Sequence, residues 1–178
     1  GIKRVIYSST SSAYGLKNPI PNTEDMHKDC LNPYSVSKTA GEELCKLYTD
    51  MFGLETITFR YFNVYGERQP IKGQYAPVIG LFQRQLKEKE PMTIVGDGLQ
   101  RRDYTHVSDV VEANILASST DNKEAIGEIF NIGSGTNNNI HDLVKMIIGN
   151  DLPVEGHDFV YIPERIGESR ETLSDCTK

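Results

Sequence analysis

The feature that most constrains this chain is a helix signal held between two strand signals. Asn32-Pro33-Tyr34-Ser35-Val36-Ser37-Lys38 opens the helix, and Pro33 suits its first position, where a fixed φ and a missing N–H cost little. Leu44, Leu47, Tyr48, Met51 and Phe52 continue the pattern, and Gly53 supplies the stop. Before it, Lys3 to Ser8 reads as a short buried strand. After it, Leu54 to Phe59 is rich in β-branched residues and reads as a second strand. Strand, helix and strand make a βαβ unit, which implies a parallel pair with a right-handed crossover.

Tyr34 and Lys38 stand four residues apart and so share one face of that helix. An ammonium beside a phenol favours the phenolate, which is how a tyrosine can serve as a base near neutral pH. Taken alone, the spacing is weak evidence and fits a solvated helix face better. A hydroxyl-rich turn, Ser8-Ser9-Thr10-Ser11-Ser12-Ala13-Tyr14-Gly15, follows the first strand. Open α/β sheets place ligands just beyond the carboxyl ends of their strands. The run reads either as a polar loop or as a place where Thr10 bonds a substrate oxygen.

The length of 178 residues accommodates one core or two small ones. With 38% hydrophobic and 25% charged residues, the composition is that of an ordinary folded protein rather than a disordered one. A formal charge of −6 argues against nucleic acid as a partner. Cys30, Cys45 and Cys176 lie far apart without metal-ligand spacing, so no metal is implied and the thiols read as reduced, in a cytoplasmic protein. The sequence carries no signal-peptide pattern and no apolar run of membrane-spanning length. Gly1-Ile2-Lys3-Arg4 leads straight into a strand, the pattern of a chain entered inside a domain.

Further along, Asn18 to Asn32 is a loop with Pro19 and Pro21, and the second strand ends in Arg60-Tyr61-Phe62-Asn63-Val64-Tyr65-Gly66. Pro77 to Lys89 reads as a helix, Met92 to Val95 as a strand, and Gly96-Asp97-Gly98 as a turn leading to Arg101-Arg102-Asp103-Tyr104. His106 to Ser118 reads as a buried helix capped by Ser108 or Asp109. Ile129 to Ile132 is a strand closed by Gly133-Ser134-Gly135. Asn139 caps an amphipathic helix with Ile140, Leu143, Val144 and Ile147. Phe159 to Ile162 is a last strand, followed by a loop through Arg165-Ile166-Gly167-Glu168.

In this order, Ser8-Ser9-Thr10…Tyr14-Gly15, Tyr34-x-x-x-Lys38, Arg60 to Gly66, Gly96-Asp97-Gly98…Arg102-Asp103-Tyr104, Asn131-Ile132-Gly133 and Arg165-x-Gly167-Glu168 resemble the extended short-chain dehydrogenase/reductase family. Within it, the chain is similar to the NAD-dependent sugar-nucleotide epimerases and dehydratases. The resemblance implies an α/β fold: the C-terminal half of a Rossmann-type parallel sheet plus a small α/β substrate-binding domain. Residues 1–70, with 104–135 returning, would form the first part, and residues 71–103 and 136–178 the second.

The resemblance also implies roles. Tyr34 would be the general base on a sugar hydroxyl. Lys38 would bond the nicotinamide ribose and favour the phenolate, and Thr10 would bond the same sugar oxygen. Ser8 and Phe62 would line the nicotinamide pocket. Asn63 would contact the substrate diphosphate, and Arg102 and Arg165 would clamp it, a task suited to planar, permanently charged guanidinium groups. Thr93 and Ile94 would lie beside the nucleotide base. Thr172 matches a position where a small side chain admits N-acetylhexosamines as well as hexoses. The implied reaction is epimerisation at C4 of a UDP-hexose or UDP-N-acetylhexosamine through a transient 4-keto sugar, with NAD carrying the redox step.

Dehydratases of the family carry an Asp-Glu pair where this chain has Ser11 and Ser12. That departure argues against a 4,6-dehydratase and favours epimerisation; a decarboxylase or ketoreductase remains an alternative. From another class, a non-catalytic nucleotide-sugar-binding module would keep the arginine clamp and lose the redox role. The glycine-rich dinucleotide fingerprint does not occur in these 178 residues, and Gly96-x-Gly98 and Gly133-x-Gly135 lack its strand-to-helix context. About four strands of the family's sheet would lie outside the chain. The expectation is therefore a fragment that alone binds NAD poorly and is inactive, from a full-length protein that is a homodimer through the helix of Tyr34 to Phe52 and a second helix.

Overall fold

The computed structural model describes residues 1–73, 76–149, 152–164 and 169–178. Its elements in chain order are β1 (Arg4–Thr10), α1 (Pro33–Phe52), β2 (Glu55–Tyr61), β3 (Val64–Tyr65), α2 (Val78–Glu88), β4 (Met92–Val95) and β5 (Arg101–Arg102). There follow β6 (Thr105–His106), α3 (Val107–Ser119), β7 (Ile129–Ile132), β8 (Asn138–Asn139), α4 (Ile140–Ile148) and β9 (Phe159–Ile162). No helix among the described residues is long and apolar enough to cross a membrane.

The βαβ unit is present. β1 and β2 run parallel, from Arg4 opposite Glu55 to Thr10 opposite Tyr61, and β7 pairs parallel on the far side of β2. α1 connects the first two strands. Asn32 caps it by accepting the Ser35 N–H at 2.9 Å, with Ser35 bonding back in a capping box, and Gly53 ends it in the left-handed region. β1 extends two residues further than the hydroxyl run foretold. Ser9 and Thr10 are strand, and Ser11–Tyr14 is a single 3-10 turn. The reason is local satisfaction: Ser9 and Thr10 are buried, and each hydroxyl finds a partner without leaving the strand.

A second assembly is built from α2, α4 and the parallel pair β4–β9. Ile79, Phe82, Met92, Ile94, Ile140, Leu143, Val144 and Phe159 close on one another as its core. Asn139 caps α4 as expected, accepting from Asp142 N at 2.8 Å. The sheet has a smaller cluster of buried residues, Ile57, Phe59 and Ala117.

Two helices depart from their sequence reading. α3 is capped by His106, whose ring accepts the Ser108 N–H, rather than by Ser108 or Asp109. It is not a buried helix either: Val111, Ile115 and Leu116 are exposed and only Ala117 is buried. Its apolar residues are spread round the helix among Asp109, Glu112 and Asn114, so no stripe marks the covered face. α1 is reversed in polarity. Its buried stripe is Ser35, Thr39 and Glu42, while Leu44, Leu47, Tyr48, Met51 and Phe52 face outward.

Candidate functional site

Tyr34 and Lys38 occupy the first two turns of α1, above the C-terminal end of β1. Lys38 Nζ donates to the Ser8 carbonyl at 2.8 Å and lies 5.5 Å from the Tyr7 ring centroid and 6.0 Å from that of Tyr34. The Tyr34 side chain is half exposed, and among the described residues its hydroxyl has no hydrogen-bond partner. Helix and strand approach closely because position 41 is glycine: a Cβ there would collide with the Tyr7 ring. Glycine inside a helix costs about 1 kcal/mol relative to alanine, which marks close packing as its reason here.

Beneath this pair lies a charged knot. Glu42, one turn after Lys38, is buried and accepts from Ser9 Oγ at 2.5 Å, Arg60 Nε at 2.9 Å and Arg60 Nη2 at 2.8 Å. Lys28 approaches it at 3.1 Å, and Arg60 lies over the Tyr14 ring. Burial opposes ionisation of Glu42, but the hydrogen bonds from Arg60 and Ser9 and the Arg60 charge outweigh it and hold the carboxyl below its usual range. The knot ties α1 to β1 and β2 beside the Ser8 carbonyl that holds Lys38. Sequence reasoning missed both residues, though Glu42 continues the four-residue spacing of Tyr34 and Lys38.

Thr10 ends β1 with its hydroxyl already engaged, accepting from Ser12 N and donating to Ser12 Oγ, each at 3.2 Å. Ser8 is exposed, and its hydroxyl donates to Tyr61 Oη at 3.5 Å. Phe62 has no accessible surface and packs on Tyr14, ring centroids 6.0 Å apart. Its side chain is therefore core rather than pocket wall.

Three of the expected substrate residues meet at one point. Asn63, at a positive φ of 21°, donates from Nδ2 to the Asp103 carbonyl at 2.8 Å and to Thr172 Oγ1 at 3.2 Å. Arg102 lines the same two clefts as Asn63, and its Nη1 donates to the Arg101 carbonyl at 2.9 Å. The first cleft, about 380 Å³, has walls that include Val64, Tyr65, Phe82, Val95 and Ile162, with Thr93 and Gln100 among its polar groups. The second, about 490 Å³, is lined by Ser11, Ser12, Asn18, Asn32, Arg170 and Thr172 among others. A strand alternates its faces, so Thr93 lines the first cleft while Ile94 is wholly buried in the core. Val95, unforeseen, takes the wall position expected of Ile94. Arg165 lies outside the described residues.

Tyr104 also lines the first cleft, and its hydroxyl is buried without a partner among the described residues. Burial pushes that phenol up to about 12, against the pull of the Arg102 charge. At the rim, Arg170 grips Asp97 at 2.8 and 2.7 Å, and this pairing holds the Asp97 carboxyl down at about 2. A largely apolar cleft and a polar, hydroxyl-lined cleft thus join at an arginine and an amide. That arrangement suits a ligand with a flat heterocycle at one end, a polyhydroxyl group at the other and an anionic link between them.

The chain belongs to the NAD dependent epimerase/dehydratase family, whose model matches residues 1–133. A curated relative from Methanocaldococcus jannaschii bearing a UDP-glucose 4-epimerase name is 38% identical over 179 residues, which cover 99% of this chain and 56% of that one. The solved UDP-N-acetylglucosamine 4-epimerase of Methanobrevibacter ruminantium, in complex with UDP-N-acetylmuramic acid, matches with a TM-score of 0.89 at 32% identity, over 99% of this chain and 55% of that one. UDP-glucose 4-epimerase of Thermotoga maritima with UDP-glucose matches with a TM-score of 0.87 at 35% identity, over 99% and 56%. The chain therefore spans about half the length of the curated relatives it matches, and its α/β fold is that of part of a Rossmann-like epimerase.

Proposed function

We propose that the protein carrying these residues is an NAD-dependent epimerase acting at C4 of a UDP-hexose or UDP-N-acetylhexosamine. The observation that carries this reading is the meeting of two unlike clefts at Asn63 and Arg102, with Thr172 beside Asn63 in the second. The nucleoside takes the cleft of Thr93 and Val95, the diphosphate lies at Asn63 and Arg102 with Arg165, and the sugar takes the cleft that Thr172 helps to line. Thr172 is small enough to leave room for an N-acetyl group.

The nicotinamide end of NAD fits the upper face of α1 and the end of β1. Tyr34 offers a hydroxyl there that is unpartnered among the described residues, Lys38 a positioned ammonium and Ser8 an exposed hydroxyl, while Phe62 contributes through its main chain. When bound, NAD supplies reversible oxidation at the sugar C4. Tyr34 takes the proton of the C4 hydroxyl and later returns it, and the Lys38 ammonium stabilises the phenolate that results. Thr10 holds the sugar oxygen by trading its bond to Ser12. Ser11 and Ser12 offer no carboxyl for an elimination, which sets dehydration aside.

The clusters around the sheet and around α2, β4, α4 and β9 support a division into residues 1–70 with 104–135, and 71–103 with 136–178. The outward apolar face of α1 supports a homodimer, and the three free cysteines support a cytoplasmic setting. Turnover of UDP-glucose and UDP-N-acetylglucosamine by the full-length protein tests the reading. Interconversion of either with its C4 epimer is expected, and failure with both would sink it.

A further inference from the structure

Asp103 is a wholly buried carboxylate that the proposed chemistry does not use. Its Oδ1 accepts from Ser134 N at 2.8 Å and Ser134 Oγ at 2.7 Å. Its Oδ2 accepts from Gly135 N at 3.3 Å, Ser174 N at 3.0 Å and Ser174 Oγ at 2.5 Å. These five donors are all neutral and come from two distant segments, the loop after β7 and the C-terminal stretch. A buried carboxylate is tolerated when its lone pairs are met in this way. Gly133 belongs to the same knot. A Cβ there would collide with Ser174 Oγ and lie 3.0 Å from Asp103 Oδ2, which accounts for the glycine of Asn131-Ile132-Gly133.

The backbone of the same residue faces the clefts. The Asp103 carbonyl accepts from Asn63 Nδ2 at 2.8 Å, and its N–H donates to Thr172 Oγ1 at 3.2 Å. Arg102 precedes it in the chain. One residue therefore grips two scaffold segments with its side chain and the cleft junction with its backbone. Thr172 rides on the segment that Ser174 anchors.

We infer that Asp103 is a positioning residue that sets Asn63, Arg102 and Thr172 for a UDP-sugar. The inference rests on the reading that the two clefts hold such a ligand. Ser174 lines neither cleft, so it gives a test at a distance. Ser174→Ala removes one donor and leaves the carboxylate in place. A threefold to tenfold loss of affinity, about 0.7–1.4 kcal/mol, is expected, since only part of a hydrogen bond to a charged group reaches the junction.

The experiment uses this chain, with UDP-N-acetylglucosamine as the calorimetric probe and the Asn63 side-chain amide resonances as a second readout. Ser174→Ala is expected to bind about threefold to tenfold more weakly and to shift the Asn63 amide in the ligand-free protein, although Ser174 does not touch Asn63. Unchanged affinity, or weakened affinity with the Asn63 amide unmoved, overturns the inference. If the parent chain does not bind the probe, the placement of a UDP-sugar in these clefts fails on its own. The Asn63 shift in Ser174→Ala then decides the positioning role alone, present in its favour or absent against it. Should Ser174→Ala not fold, Ser134→Ala is read by the same two outcomes.

Discussion

Among the described residues, eight buried side chains close on one another around α2, β4, α4 and β9; around the three-stranded sheet Ile57, Phe59 and Ala117 do so, while α3 turns Val111, Ile115 and Leu116 outward. A related contrast runs through the candidate site. The residues proposed for the UDP-sugar line clefts that both parts help to build, whereas Tyr34 and Lys38 stand at an open face of the sheet part.

The largest effects should fall on the finished side. Phe82→Ala empties a wholly buried position and is expected to cost about 3–5 kcal/mol in urea unfolding. Ile115→Ser on α3 should stay within about 0.5 kcal/mol, the range of an exposed substitution. Equal losses would dissolve the comparison. On the sheet side, stability comes instead from the charged knot, so Arg60→Met, which strands Glu42, should cost about 3 kcal/mol. The knot also sets a pH dependence. The folded Glu42 carboxyl is held below its unfolded value, so its contribution is present above the ordinary glutamate range and is lost as pH falls through the folded value. Arg60→Met should flatten that acid limb in unfolding followed against pH.

The smallest effect is at the rim. The Asp97 carboxyl should titrate near 2 by carboxyl NMR, and Arg170→Ala should return it toward 3.8. No change on removing Arg170 would show that the turn itself, through the Leu99 N–H, sets the Asp97 value.

Much of this was legible from residue pattern, and the failures have physical causes. The βαβ unit, the Asn139 cap and the Gly53 stop follow from local chemistry that tertiary packing does not override. Ile94 was misplaced because a motif names a neighbourhood, while strand alternation decides which of two adjacent side chains faces it. Phe62, just past the end of β2, is buried against the Tyr14 ring instead. The outward apolar face of α1 could not be told from a core face, since helical periodicity gives the stripe but not what covers it. Glu42, Arg60 and Asp103 went unseen because their roles exist only through partners 18 to 71 residues away. Asn63 and Arg102 were named from short motifs and Thr172 from its place after Arg165, and all three line the second cleft.

The central claim is that the clefts joined at Asn63 and Arg102 hold the UDP-sugar while the open face of α1, without a glycine-rich loop in these residues, does not hold NAD. Parallel calorimetric titrations of the chain with UDP-N-acetylglucosamine and with NAD test it most directly. The account predicts binding of the UDP-sugar, weakened at least about tenfold by Arg102→Ala as expected for a charge-assisted contact, and no micromolar binding of NAD. Micromolar NAD binding, or UDP-sugar binding that Arg102→Ala leaves untouched, would contradict it.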